Sequence, residues 1–301
     1  MTLEDRLRRH VAHLAGTIGE RNVTRPAALA AARDYIEAAF ADQGLTVIRQ
    51  TYAVEGIACS NLEVTIPGGA RPDARLPGPM LLIGAHYDTV RGSPGADDNA
   101  SGVAALLELA AGLRAVCPAP ALTVRFVAFV NEEAPFFLTG RQGSAVYARA
   151  ARERGDDIRL MIALEMLGHY SDRPGSQRYP PLFRRFFPDR GNFLALVSDF
   201  RSLGLTRRLA AAFRARSAFP LEYAGLFRWY PGVGWSDHRP FWTAGYRALM
   251  ATDTAFNRYP YYHTAADTPD KLAYQAFADA TEGLLGALAA LAGDGPHRLV
   301  R

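Results

Sequence analysis

Four short apolar runs set the limits on this fold: "MLLIGAH" (residues 80–86), "VRFVAFV" (124–130), "LMIALEM" (160–166) and "RALMATD" (247–253). Unbroken rather than alternating hydrophobicity belongs to strands covered on both faces. "TVIRQTYAV" and "NLEVTIPG" alternate instead, and read as an antiparallel pair with one exposed face. Helical periodicity fills the intervals, in "RPAALAAARDYIEAAFADQG", "SGVAALLELAAGLRAV", "GSAVYARAARERG", "SLGLTRRLAAAFRAR" and "DKLAYQAFADATEGLLGALAALAG". Strands alternating with helices predict an α/β fold, a three-layer α/β/α sandwich around a mixed, mostly parallel central sheet.

A chain of 301 residues, 49% hydrophobic, suits one sizeable core, and no repeat or low-complexity linker divides it. The reading is a single domain over 1–301, with a Pro-, Arg- and aromatic-rich surface loop insertion near 169–191. The net charge is +4, yet Lys271 is the only lysine and the arginines are scattered. No nucleic acid is expected as a partner, since the nearest thing to a basic patch is the short "PPLFRRFFPDR". Cys59 and Cys117 have no metal or disulfide spacing and read as inert thiols. The charged N-terminus lacks the apolar core of a secretory signal, and no run reaches the roughly 18 apolar residues of a membrane span. A cytoplasmic protein without a membrane partner is the expectation.

His86 falls at the end of one buried run, Glu132 and Glu133 just past another, and Glu165 at the end of a third. In open α/β sheets the loops beyond the carboxyl ends of the strands meet at the ligand crevice. Taken singly, each residue has an ordinary explanation: His86 as a hydrogen-bonded histidine, Asp98 as a helix cap, "NEE" as a solvated loop. Taken together they place several carboxylates in one crevice, where they repel unless cations or protons neutralise them. A divalent metal is the economical answer. Imidazole and carboxylate donors without thiolate suit zinc first, then cobalt or manganese. His86, Asp98, Glu133, Glu165 and His263 supply enough donors for two ions about 3.5–4 Å apart, and Glu132 is left over as a candidate general base.

The runs "AHYD", "PGADDNASG", "NEE", "WSDHRPFWTAGY" and "YYHTAADTPDKL" occur in that order, and with them the chain resembles the dizinc aminopeptidases, the bacterial leucyl-type aminopeptidases. Glutamate carboxypeptidase, the transferrin receptor and glutaminyl cyclase are relatives of the same fold. The resemblance implies two Zn2+ ions and removal of N-terminal residues from a peptide or amino-acid-derivative substrate by metal-activated water. It implies that His86 is a terminal ligand of the first metal and that the Asp88 carboxylate hydrogen-bonds and orients it. Asp98 matches the bridging ligand, with Asp97 in support. Glu132 matches the general base, and Glu133 and His263 the ligands of the second metal. Glu165 stands where the family usually has an aspartate.

Phe227, Trp229, Tyr230 and Trp235 read as the lining of a side-chain pocket, which would favour bulky apolar residues. Ser236, Asp237 and His238 contain the residue types of a nucleophilic triad, but three consecutive residues do not provide its geometry; they read as pocket or scaffold. Two alternatives differ in kind. A glutaminyl cyclase-like acyltransferase would use one zinc and would not need His86, which the intact "HYD" argues against. A non-catalytic receptor-like binding module would have lost ligands, whereas every position here is filled.

Overall fold

The computed structural model describes residues 1–69, 78–179 and 185–294. Its strands are β1 (Ile48–Val54), β2 (Ile57–Ile66), β3 (Met80–His86), β4 (Thr123–Phe129), β5 (Ile158–Glu165), β6 (Leu194–Asp199), β7 (Leu221–Leu226) and β8 (Ala248–Thr252). They form one sheet in the order β1-β2-β4-β3-β5-β8-β6-β7. The centre, β4-β3-β5-β8, is parallel; β2 runs antiparallel to both β1 and β4, and β6 antiparallel to β8 but parallel to β7. The sheet is therefore mixed and mostly parallel, flanked by helices, as the interleaved pattern predicts. β3, β5 and β8 expose almost nothing, which explains their unbroken apolar runs.

β6 and β7 were not among the strands read from the sequence. β7 is only half-buried and contains Glu222 and Gly225, so its sequence, "LEYAGL", has neither an apolar run nor clean alternation.

The helices are α1 (Leu3–Val11), α2 (Pro26–Asp42), α3 (Gly102–Val116), α4 (Gly143–Arg154), α5 (Leu203–Arg214), α6 (His238–Thr243) and α7 (Tyr274–Gly293). Thr2 and Asp5 form a reciprocal cap on α1, and Pro26 starts α2 where its missing N–H costs nothing. α3 is buried along its first nine residues against the sheet, α1 and α7. By length and composition α7, 20 residues of mean hydropathy 1.2, could cross a bilayer, although Asp279 and Glu282 break its apolar run. Here its apolar faces pack on α1, α3 and α5.

Because β3, β4, β5 and β8 are parallel, their carboxyl ends share one edge of the sheet. Residues 169–179 and 185–191 of the expected insertion follow β5 there; residues 180–184 of it lie outside the described residues.

Candidate metal centre

His86 is the last residue of β3 and is buried. Its Nε2 lies 3.3 Å from Asp98 Oδ1 and 3.4 Å from Glu165 Oε2, at the end of the adjacent strand β5. The other oxygen of Asp98, Oδ2, lies 3.0 Å from His263 Nε2, which in turn is 3.4 Å from Glu133 Oε1. Two clusters follow, His86–Asp98–Glu165 and Asp98–Glu133–His263, in each of which the donor atoms lie within 4.8 Å of one another. One carboxylate serves both.

Local backbone puts Asp98 there. Gly95 takes φ +63°, in the left-handed region open to glycine, and Asp98 itself leaves helical geometry with φ −107° and ψ 88°. The Asp98 side chain does not cap α3; Asn99 does, accepting from Gly102 N through Oδ1 at 3.0 Å. Asn99 also accepts from Met166 N and donates to the Leu164 carbonyl, so it ties the Asp98 turn to the end of β5. Asp267, four residues beyond His263, accepts from Asp97 N at 2.8 Å and Asp98 N at 3.1 Å. Asp97 accepts from Gly168 N. The loops that carry the donors are thus bonded to one another.

The Asp88 carboxylate accepts from Glu132 N at 3.0 Å and Glu133 N at 3.1 Å. It lies 3.7 Å from His86 Nδ1, whose hydrogen-bond partner is the Asp88 main-chain carbonyl at 3.2 Å. The expected carboxylate–imidazole pairing is a 3.7 Å approach here. The side chain holds the Glu132–Glu133 loop, and the backbone of the same residue orients the ring. Glu132 is buried beside these residues but belongs to neither cluster. Asn131, Met166 and His263 all have left-handed backbones, with φ 59°, 49° and 57°. Non-glycine residues hold such conformations at a cost of about 1–3 kcal/mol each, and they collect at functional sites.

Charge crowding dominates the electrostatics. Burial raises Glu132 well above the ordinary carboxylate range, reinforced by Glu133 and Glu165. Burial and the Asp98 charge push Glu133 up to about 7. Burial opposes ionisation of Asp98, but the two imidazoles outweigh it and hold this carboxyl below its usual range. Burial would lower His263, yet Asp98 and Glu133 raise it to about 10. Glu132, Glu133 and His263 are all raised, so the crowded carboxylates favour bound protons, while Asp98 between its two imidazoles stays ionised. Asp98 Oδ1 and Glu133 Oε1 are buried and accept no hydrogen bond, although each lies within 3.4 Å of an imidazole nitrogen. Orphaned acceptors facing imidazoles are what a donor set for zinc-like divalent ions requires, so the residues fit the metal.

Sequence reading missed Arg21. Its side chain is fully buried and donates to the carbonyls of Tyr87, Leu14, Gly19, Pro94 and Gly95, tying the N-terminal segment to both ends of the loop between His86 and Asp98. It is a fixed cation near Asp88, Asp98, Glu133 and Asp267. No local signal distinguishes it from other arginines, because its partners are main-chain groups scattered along the chain.

Ser236 donates to Glu165 Oε2 at 2.6 Å and so orients a candidate ligand. Asp237 accepts from Gln142, and His238 Nε2 lies 2.7 Å from the Val233 carbonyl, to which it donates. The three side chains point to different partners and form no relay.

Beside Glu165 lies a cavity of about 150 Å³, with Val233, Trp235, Met250, Phe256 and Tyr262 among its walls. Tyr262 stacks on His263 with ring centroids 3.8 Å apart. Tyr230 and Trp235 line it as expected from the sequence; Phe227 and Trp229 do not. Those two are 57% and 76% exposed and stack on each other outside, because the chain turns outward as β7 ends at Leu226.

A mixed α/β sheet whose carboxyl edge carries two histidine–carboxylate clusters sharing an aspartate is the architecture of a metallopeptidase-like protein. The model of Peptidase family M28 matches residues 61–288, and the chain belongs to that family. It is 38% identical over 290 residues to the uncharacterized protein YfbL of Escherichia coli (strain K12), covering 93% of this chain and 86% of that one. A probable zinc metalloprotease of Leptosphaeria maculans is 25% identical, and the match covers 75% of this chain and 56% of that protein. Among solved structures, the aminopeptidase LapA of Legionella pneumophila superposes with TM-score 0.74 at 19% identity, over 97% of this chain and 72% of that one. A glutaminyl cyclase of Fimbriiglobus ruber superposes with TM-score 0.68 at 21% identity, over 95% and 94%. At these identities the two structures show the shared fold.

Proposed function

We propose that this chain is a zinc-dependent aminopeptidase that removes N-terminal residues with large, apolar-bodied side chains from peptides. The observation that carries the reading is the sharing of Asp98 between two clusters, with Glu132 buried beside both and part of neither. His86, Asp98 and Glu165 would hold one ion, and Asp98, Glu133 and His263 the other. Bound there, divalent ions supply Lewis-acid activation of a water and of the peptide carbonyl.

The chain's own residues do the rest. The Glu132 carboxylate takes a proton from the attacking water as its oxygen bonds to the carbonyl carbon. When the carbon–nitrogen bond breaks, Glu132 returns that proton to the leaving amine. Asp88 fixes the backbone from which Glu132 reaches, and Ser236 and Arg21 hold Glu165 and the surrounding loops. The cavity beside Glu165 takes the side chain of the N-terminal residue.

Leucyl 4-nitroanilide and its N-acetyl derivative test this directly: the free amine is hydrolysed by the zinc-loaded protein and the blocked one is not. Equal cleavage of both would overturn the aminopeptidase reading. The near full-length match to glutaminyl cyclase structures keeps a second reading in view. Cyclisation of an N-terminal glutaminyl peptide faster than hydrolysis of any anilide would establish it instead.

A further inference from the structure

Four strands carry one row of residues through this cavity. Glu165 on β5 stands opposite Thr252 on β8, Thr252 opposite Ala195 on β6, and Ala195 opposite Glu222 on β7. Directly paired residues project from the same face of a sheet, so the four side chains form a line on one face. Three inter-strand steps of about 4.8 Å separate β5 from β7 by about 14 Å. All four residues line the cavity. It therefore runs across the sheet from the candidate metal centre, at Glu165, to a second carboxylate, at Glu222.

Between these ends the walls are largely apolar, with Val197, Leu226, Val233 and Met250 among them. The far end is not. Glu222 is half-buried and has neither a hydrogen bond nor an ion pair among the described residues. The cation that acts on it, Arg214, is committed elsewhere, donating to the Leu221 carbonyl at 2.6 Å and stacking over the Tyr223 ring. Tyr179 lines the same end, feels the Glu222 charge, and has a buried hydroxyl with no hydrogen-bond partner. A half-buried carboxylate with no hydrogen bond or ion pair among the described residues, at the end of an otherwise apolar cavity, is well placed to receive a cation. Burial raises the Glu222 carboxyl above its usual range, and the Arg214 charge offsets this only in part.

We infer that Glu222 and Tyr179 form the polar end of the pocket for the substrate's N-terminal side chain, and that this side chain is long and cationic, that of arginine or lysine. A leucine side chain fills only the part of the cavity next to the metal centre. The stem of lysine or arginine lies along the apolar walls, and its several N–H donors reach the Glu222 carboxylate, beside which the Tyr179 ring stands. The inference rests on the aminopeptidase reading and refines it: the body of the preferred side chain is apolar and its tip is charged.

The test compares kcat/KM for arginyl, lysyl, norleucyl and leucyl 4-nitroanilides in the zinc-loaded wild type, Glu222→Gln and Tyr179→Phe. Calorimetric binding of L-arginine and L-norleucine accompanies it. The wild type prefers the arginyl and lysyl substrates. Glu222→Gln lowers the arginyl-to-leucyl ratio about tenfold to a hundredfold, the range for loss of one charge-assisted hydrogen bond at a partly buried site. Tyr179→Phe lowers it less. A wild type that prefers leucine, or a ratio unmoved by Glu222→Gln, overturns the inference and leaves the aminopeptidase reading standing. If no anilide is cleaved, it is the aminopeptidase reading that fails, and calorimetry still decides the pocket. Arginine binding that Glu222→Gln abolishes upholds the cationic pocket, and binding that it leaves intact overturns it.

Discussion

Arg21→Met tests the claim that a buried cation organises the loops of the metal centre. Burial lowers the Arg21 guanidinium to about 10 despite four nearby carboxylates, so it is charged at neutral pH. It donates to the carbonyls of Tyr87 at 2.7 Å, Pro94 at 2.6 Å, Gly95 at 2.9 Å, Gly19 at 3.0 Å and Leu14 at 3.3 Å. Methionine matches much of the length and donates nothing. Five carbonyls then lose a partner in the interior, and Asp88, Asp98, Glu133 and Asp267 lose the nearest fixed positive charge. Removing one member of a buried charged network costs about 3–5 kcal/mol. At roughly 2 °C per kcal/mol, the low end appropriate to a long chain, the melting temperature falls by about 6–10 °C. Calorimetry on metal-free protein measures this without interference from bound ions. Arg21→Lys, with three donors in place of five, recovers part of the loss. An Arg21→Met variant melting within about 2 °C of the wild type would refute the reasoning, because it would mean those carbonyls had been satisfied without the guanidinium.

Three further outcomes follow from particular contacts. Glu132→Gln lowers kcat by about 10²- to 10⁴-fold while the metal content, measured on the same sample by mass spectrometry, stays at the wild-type value; loss of an ion would make Glu132 a ligand instead. Glu165→Ala drops one ion of two and keeps the one held by Asp98, Glu133 and His263, so two retained ions would exclude Glu165 from the coordination shell. Burial would raise the Glu108 carboxyl, but His10 and Arg6, at 3.2 Å and 2.6 Å, outweigh it and hold the net value below the ordinary range. A carboxyl depressed in the folded state contributes stability above its unfolded value of about 4.3, and that contribution disappears as the pH falls through the folded value. The stability gap between wild type and Glu108→Gln in urea unfolding therefore narrows on acidification from pH 7 to 3; a gap independent of pH contradicts the ion-pair assignment.

Much of this was legible in the sequence because strands buried on both faces leave unbroken apolar runs, and chemistry in an α/β sheet gathers at the ends of those runs. His86 and Glu165 are terminal residues of their strands, so spacing alone predicted that they would meet. β7 was not legible, since a half-buried strand containing Glu222 and Gly225 follows neither the apolar nor the alternating pattern. Its absence from the reading concealed the far end of the cavity. The sequence did pick out the aromatic segment near "WSDH", but not which rings face inward: Tyr230 and Trp235 do, while Phe227 and Trp229 pair outside. The role of Arg21 is beyond sequence patterning altogether, because carbonyl partners carry no side-chain signature.

The most direct test of the metal centre is a zinc titration of rigorously metal-free protein, following bound ions per chain and hydrolysis of aminoacyl 4-nitroanilides together. The metal-free protein is expected to hydrolyse nothing, activity to return as zinc binds, and binding to reach a plateau at two ions per chain. Undiminished hydrolysis by protein shown to contain no metal would contradict it.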